Sequence, residues 1–181
     1  MKKILFLLAM AVVVSSCSTS KEASADKGNV KKEKKLARQT EIKQAVESRR
    51  FIVKVNRIYM QGGGFRDLVP SRNYIIVDGE IASISLGYLG RSYGARPITG
   101  INFHGHTIKY EMVNKQSNGS YDITMRVSKD NDTFDFYITV QPSGHCTVSV
   151  NNLNIQSVNY NGEVVPVTVA SNQPANKEEK F

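Results

Sequence analysis

The sequence predicts a mainly β domain, an antiparallel meander of about eight strands forming a barrel-like sheet or a two-layer sandwich, preceded by one N-terminal helix. Three observations predict it. From Phe51 on, apolar residues recur at every second position, the period of a strand with one face out of water. Tight-turn signals interrupt the pattern at Asp78-Gly79, Asn118-Gly119 and Asn161-Gly162, where a type I′ hairpin turn wants positive φ at both residues. The segment just before Phe51 is instead rich in helix formers and free of Gly and Pro.

Taken in order, residues 1–16 read as a leader. "MKK" is a positive start, and Ile4 to Val14 is an apolar run of 11 residues, right for a secretory core and short for a bilayer-spanning helix. "VSSC" closes it at Cys17. This resembles the lipobox of bacterial lipoproteins, which implies cleavage before Cys17 and acylation, with palmitate-type chains, of its sulfur and new amino group. Two or more acyl chains anchor stably where one does not, so the expected partner is a membrane reached through Cys17. Residues 17–30, small and polar, read as a lipidated Cys with a flexible tether. Residues 31–50 read as a basic helix in which Ile42, Ala45 and Val46 share a face. Its lysines suit either attraction to anionic head groups or a solvated spacer.

Residues 51–170 read as the antiparallel domain, with strands expected at 51–60, 73–78, 80–86, 101–113, 119–128, 132–141, 145–151 and 154–161, and a short ninth at 163–169. "TFDFYITV" shows the pattern, with Phe134, Phe136, Ile138 and Val140 inward and Thr133, Asp135 and Thr139 outward. Residues 171–181 read as a disordered tail.

The net charge of +8 is unevenly placed. Residues 31–50 hold eight basic and three acidic side chains, whereas 51–170 hold ten basic and nine acidic. The β domain is nearly balanced, which argues against a nucleic-acid face. Of the two cysteines, Cys17 is assigned to lipid, leaving Cys146 without an intrachain partner. Cys146 alternates with Val148 and Val150 and is expected to point inward as a small apolar residue.

Few segments suggest chemistry. His104 and His106 flank Gly105 and share a strand face, but a metal lacks an obvious third ligand, and the pair reads instead as a polar strand end with a bulge at Gly105. "DNDTFD" from Asp130 has neither the glycine nor the glutamate of a calcium loop and reads as a hairpin tip. "QGGGFRDLVPS" (61–71) lacks the Lys-Ser or Lys-Thr of a phosphate cradle and reads as a mobile loop or sharp bend. No nucleophile elbow, paired carboxylates or CxxC stands out. No cofactor is expected and no catalytic residue is assigned.

"LGYLGRSYGARPITG" (86–100) is the one long irregular loop, and long loops in compact domains are usually functional or mobile. Tyr88, Arg91, Tyr93 and Arg96 are its candidate ligand or partner residues. The competing reading has Tyr88 and Tyr93 folding back to close the end of the domain while Arg91 ties the loop down.

The leader, "AVESRRFIVKV", "GYLGRSYGARP", "GSYDITMRVSKDNDTFDFYITVQPSG" and "NIQSVNYNGEV" together resemble a domain-of-unknown-function family of small lipoproteins from Bacteroides-like bacteria. The resemblance runs from about Lys31 to Val165 and implies an envelope address and a mostly β domain, with no catalytic residues to carry over. The resulting expectation is an envelope lipoprotein with a non-catalytic binding or scaffolding role, toward a small apolar or glycan-type ligand or an envelope protein. The alternative is a hydrolase with a site formed by the 86–100 loop with His104 and His106. Ser18, rather than Asp, after the lipidated Cys favours the outer membrane. The weakly acidic tether favours its periplasmic side over the cell surface.

Overall fold

The computed structural model describes residues 19–93, 98–129 and 132–167, with side chains from residue 30 onward. Helix α1 (Thr19–Glu47) is followed by strands β1 (Arg50–Tyr59), β2 (Phe65–Asp67), β3 (Tyr74–Asp78), β4 (Ile81–Gly87), β5 (Gly100–Lys115), β6 (Ser120–Lys129), β7 (Asp132–Val140), β8 (His145–Asn152) and β9 (Ile155–Pro166). From β3 to β9 each strand pairs antiparallel with the next, and β1 pairs with both β3 and β9. Eight strands therefore close on themselves, and the barrel, rather than the sandwich, is the form adopted. Short β2 pairs with the far end of β1, at Arg57–Tyr59, beyond the reach of β3.

The period-two pattern works as expected. Along β7, β8 and β9 the inward side chains Phe136, Ile138, Val148, Val150, Val158 and Tyr160 are at most 3% exposed. They meet Phe51, Val53, Ile75, Val77, Ile84, Ile123, Met125 and Val127 in one core, so side chains fill the interior.

Among the described residues the chain divides after Ala37, and the last turns of α1, from Arg38 on, belong to the barrel unit. There Ile42, Ala45 and Val46 are buried and close one end, the shared face the sequence predicts. The Arg38 guanidinium donates to Glu163 Oε1 (2.8 Å) and Val164 O (3.1 Å). The helix stops at Arg49, whose φ of 55° is the left-handed conformation that ends helices. Its freed carbonyls are taken up: Ser48 N donates to Gln44 O, and the Tyr110 hydroxyl donates 3.0 Å to Val46 O. The Arg49 guanidinium lies 4.7 Å above the Tyr110 ring. Burial pushes the Tyr110 phenol up to about 12.

Four expectations differ from the structure. The stretch read as a tether is, from Thr19 on, the first part of α1. It contains Lys, Glu and Ala and no Pro, so nothing local stops the helix, and small polar composition misled the reading. Asn161-Gly162 is not a hairpin: β9 runs straight through it as one strand of 12 residues. Gly162 is there because β1 passes too close for a side chain, not because a turn needs it. Asp78-Gly79 and Asn118-Gly119 do lie at hairpin turns, with φ of 64° and 68° at the glycines, but Asp78 and Asn118 do not have the positive φ of a type I′ turn: Asp78 pairs with Ile81 around Gly79-Glu80, and Lys115 pairs with Ser120 around a four-residue loop. Strand β2 was unexpected, since three exposed residues carry no alternation to read. The leader with Cys17, Arg96 and the 171–181 tail lie outside the described residues.

A candidate binding groove at the barrel mouth

The end of the barrel opposite the α1 plug is its mouth. Among the described residues it is built by the 60–64 loop, residues 88–93, the β6 and β7 ends at Lys129 and Asp132, and the turn at Leu153-Asn154. Tyr88 does not face solvent there. It is 2% exposed, and its hydroxyl lies 2.7 Å from Arg91 O and 2.9 Å from Gln156 O. Burial pushes its phenol up. Tyr160 donates 3.0 Å to Gly87 O, and the buried Asn73 accepts from Gly87 N at 2.7 Å through Oδ1.

Backbone bonds continue the latch. Gln156 N donates to Arg91 O, Tyr93 N donates to Asn154 O, and Ser92 bridges Ile155. The Arg91 backbone, rather than its guanidinium, therefore ties the segment down. Arg91 is exposed and Tyr93 is 67% exposed. Of the four candidates, Tyr88 closes the barrel, while Arg91 and Tyr93 stand at the surface.

His104 and His106 alternate with the buried Phe103 and Gly105 and so lie on the outer wall. His104 Nδ1 is 2.7 Å from Ser83 Oγ, its partner residue across β4. Gly105 is needed because a Cβ there would collide with the Ser128 carbonyl. Among the described residues no group of three His, Cys, Asp or Glu is placed to hold a metal.

Beside the latch the wall opens. β5 has 16 residues and β4 only seven, so β5 changes partners along its length. Gly100 to His106 pair with β4, and pairing with β6 begins only at His106–Ser128. Between the first residues of β5 and the tip of the β6–β7 hairpin lies a groove of about 520 Å³. Ile98, Ile101, Phe103, Phe134 and Ile155 make its apolar lining, with Lys129, Asp132, Asn102 and Asn154 at the rim. The Phe103 and Phe134 rings lie 4.8 Å apart, with Lys129 Nζ 5.8 Å from the Phe103 ring centre. Asp132 Oδ1 accepts from Asn152 Nδ2 (2.6 Å) and Thr133 N (2.9 Å), so this carboxylate works as a strut of the hairpin.

The lining offers an apolar floor with aromatic faces and a cation, which suits binding; it brings no nucleophile and base together. Sequence reading did not single out Phe103, Phe134 or Lys129. The gap arises because β6 stops at Lys129 and pairs with β5 only from His106 on, a register across strands that no pattern within one segment announces.

Comparison with known proteins bears on the fold. The model of a family described as a domain of unknown function, DUF4251, matches residues 33–164. A search of curated proteins finds no match. Among solved structures, the crystal structure of a DUF4251 family protein from Bacteroides eggerthii is similar, with a TM-score of 0.62. At 14% identity, the alignment covers 72% of this chain and 88% of that one. The family model spans well over half of the chain: the chain belongs to the DUF4251 family.

Proposed function

We propose that this protein is a non-catalytic binding module of the cell envelope, held by acylated Cys17 and presenting the mouth groove to a small ligand with an apolar or aromatic portion. The observation that carries the reading is the gap in the wall between β5 and the β6–β7 tip, floored by the Phe103–Phe134 pair. The leader and the Val-Ser-Ser-Cys order support the anchor. The groove lies at the end of the barrel away from Arg38–Glu47, so ligand access does not compete with the segment through which the chain joins the barrel. Ser18 and the weakly acidic stretch after it support the periplasmic side of the outer membrane.

Native mass spectrometry of the protein extracted from its own membranes tests the groove. The wild type is expected to carry a non-detergent adduct that Phe134→Ala loses, with the barrel still folded by circular dichroism. A bare acylated mass for the wild type, or an adduct indifferent to Phe134, refutes the reading.

A further inference from the structure

A second surface lies away from the mouth, on the outer wall formed by β7, β8, β9 and β1. Strand register sets one row across it: Tyr137 opposite Ser149, Ser149 opposite Asn159, and Asn159 opposite Tyr59. All four side chains point outward, since their strand neighbours Ile138, Val148, Tyr160 and Ile58 are at most 1% exposed. Three inter-strand steps at about 4.8 Å put the two tyrosines roughly 14 Å apart. The next row places Thr139, Thr147 and Asn161 side by side. Large rings at the ends and small polar residues between them indent the convex wall into a trough of about 550 Å³.

No Asp, Glu, Lys or Arg lines the trough. Its neighbours on the wall carry the ion pairs Arg126–Asp135 and Arg57–Asp67. One ring is also fixed in place: Asn161 Nδ2 donates 3.0 Å to the Tyr59 hydroxyl, and the Tyr59 ring leans on Phe65 with centroids 6.3 Å apart. That bond leaves Asn161 Oδ1 as an acceptor beside the Thr147 and Ser149 hydroxyls, while the Thr139 hydroxyl is donated to Asp122 Oδ1 at 2.9 Å and can still accept.

These features select an occupant. A nucleic acid or an acidic polymer needs cations, which the lining lacks. An extended peptide adding to a sheet needs a free strand edge, and all four strands are paired on both sides here. A lipid tail needs an unbroken apolar floor, and the hydroxyls and amides of Thr139, Thr147, Ser149, Asn159 and Asn161 interrupt this one. A neutral pyranose chain fits each element. Its hydroxyls match amide and hydroxyl partners, and its C–H faces, polarised by adjacent oxygens, match the negative faces of the tyrosine rings. We propose that the β7–β8–β9–β1 wall is a second binding site, for a neutral oligosaccharide lying from Tyr59 to Tyr137 across Ser149 and Asn159. It stands independently of the mouth groove.

The test is calorimetric titration of the full chain, in a non-glycosidic detergent, with maltohexaose, cellohexaose, mannohexaose and chitohexaose. At least one is expected to bind, and binding should be insensitive to added salt. Tyr137→Ala and Asn159→Ala should each weaken Kd by about tenfold or more, the scale of losing one central contact. Tyr137→Phe should retain most of the affinity, and Phe134→Ala at the mouth should leave it unchanged. Both trough residues are exposed, so unchanged thermal midpoints are expected for these variants. Failure of all four sugars to bind, or equal binding by Tyr137→Ala, overturns the proposal. Loss of binding on Phe134→Ala overturns it too, by moving the sugar to the mouth.

Discussion

Replacing Gly162 by Ala probes the seam at which the barrel closes. A Cβ at this position would stand 2.5 Å from Lys54 O and 3.1 Å from both Lys54 C and Val55 Cα. All three are backbone atoms of β1, at the place where β1 and β9 shift register between Val55 and Arg57. A side chain could rotate away, but a paired strand cannot. Relaxing the contact toward the optimal ~3.5 Å separation means moving two strands apart by about 1 Å. Overpacking of this kind typically costs ~1–3 kcal/mol. Stretching one or two neighbouring ladder bonds, at about 0.5–1.5 kcal/mol each, brings the expectation to roughly 2–4 kcal/mol. For a domain of this size that is a fall of roughly 10 °C in Tm. Urea unfolding followed by far-ultraviolet circular dichroism should show a lower midpoint at unchanged slope. Gly79→Ala is the control, because nothing lies within 4 Å of its Cβ position and only its φ of 64° opposes a side chain. That strain is worth about 1–2 kcal/mol. If Gly162→Ala costs no more than Gly79→Ala, the seam yields easily and the close-approach argument is wrong.

Two further predictions concern titratable groups. Asp122, held by Lys115 and Thr139, and Asp135, held by Arg126 at 2.6 and 2.9 Å, both titrate below the usual carboxylate range, chiefly through those hydrogen bonds. A carboxyl depressed in the folded state stabilises it above the unfolded pKa and loses that contribution as pH falls. Unfolding midpoints should therefore drop below about pH 4, and Asp135→Asn should flatten that fall; an Asp135→Asn profile parallel to the wild type would exclude the pair as a contributor. Cys146 is 4% exposed and its thiol is pushed up to about 12, mainly by burial. An aromatic disulfide reagent at pH 8 should leave it untouched until urea unfolds the chain, and stoichiometric labelling of the native protein would contradict this burial.

The wall of the barrel was legible because its physics is local. Alternation such as Phe134, Phe136, Ile138 and Val140 announces a strand and its inner face together, and Ile42, Ala45 and Val46 announce the helix face that plugs the base. The Asn161-Gly162 error shows the limit. A glycine required by a turn and one required by a passing strand look alike in sequence, and only the distant Lys54 distinguishes them. The surroundings of the candidate site residues were hidden for the same reason. Tyr88 sits in the right segment, yet its role is set by Gln156 across the mouth. Phe134 read as an ordinary inward strand residue and Phe103 drew no reading, and they line a groove only because β5 runs on past the end of β6. The Tyr59–Tyr137 row depends on register across four strands, which no single segment encodes.

The β1–β9 seam also sets an order of events. Every other pairing in the barrel joins strands adjacent in the meander, but Phe51 meets Pro166 and Val53 meets Val164, from opposite ends of the domain. Hairpins from β3 to β9 can form early, each closing a short loop, whereas the seam must close nearly the whole domain as a single loop. Until β9 is available, both β1 and β8 present open edges, the state in which strands pair with the wrong molecule. A chain that lacks its last strand thus loses more than one strand's worth of core: it remains a sheet with two adhesive margins. Closure is the step at which the sheet loses both of these margins at once, and it waits on residues 155–166.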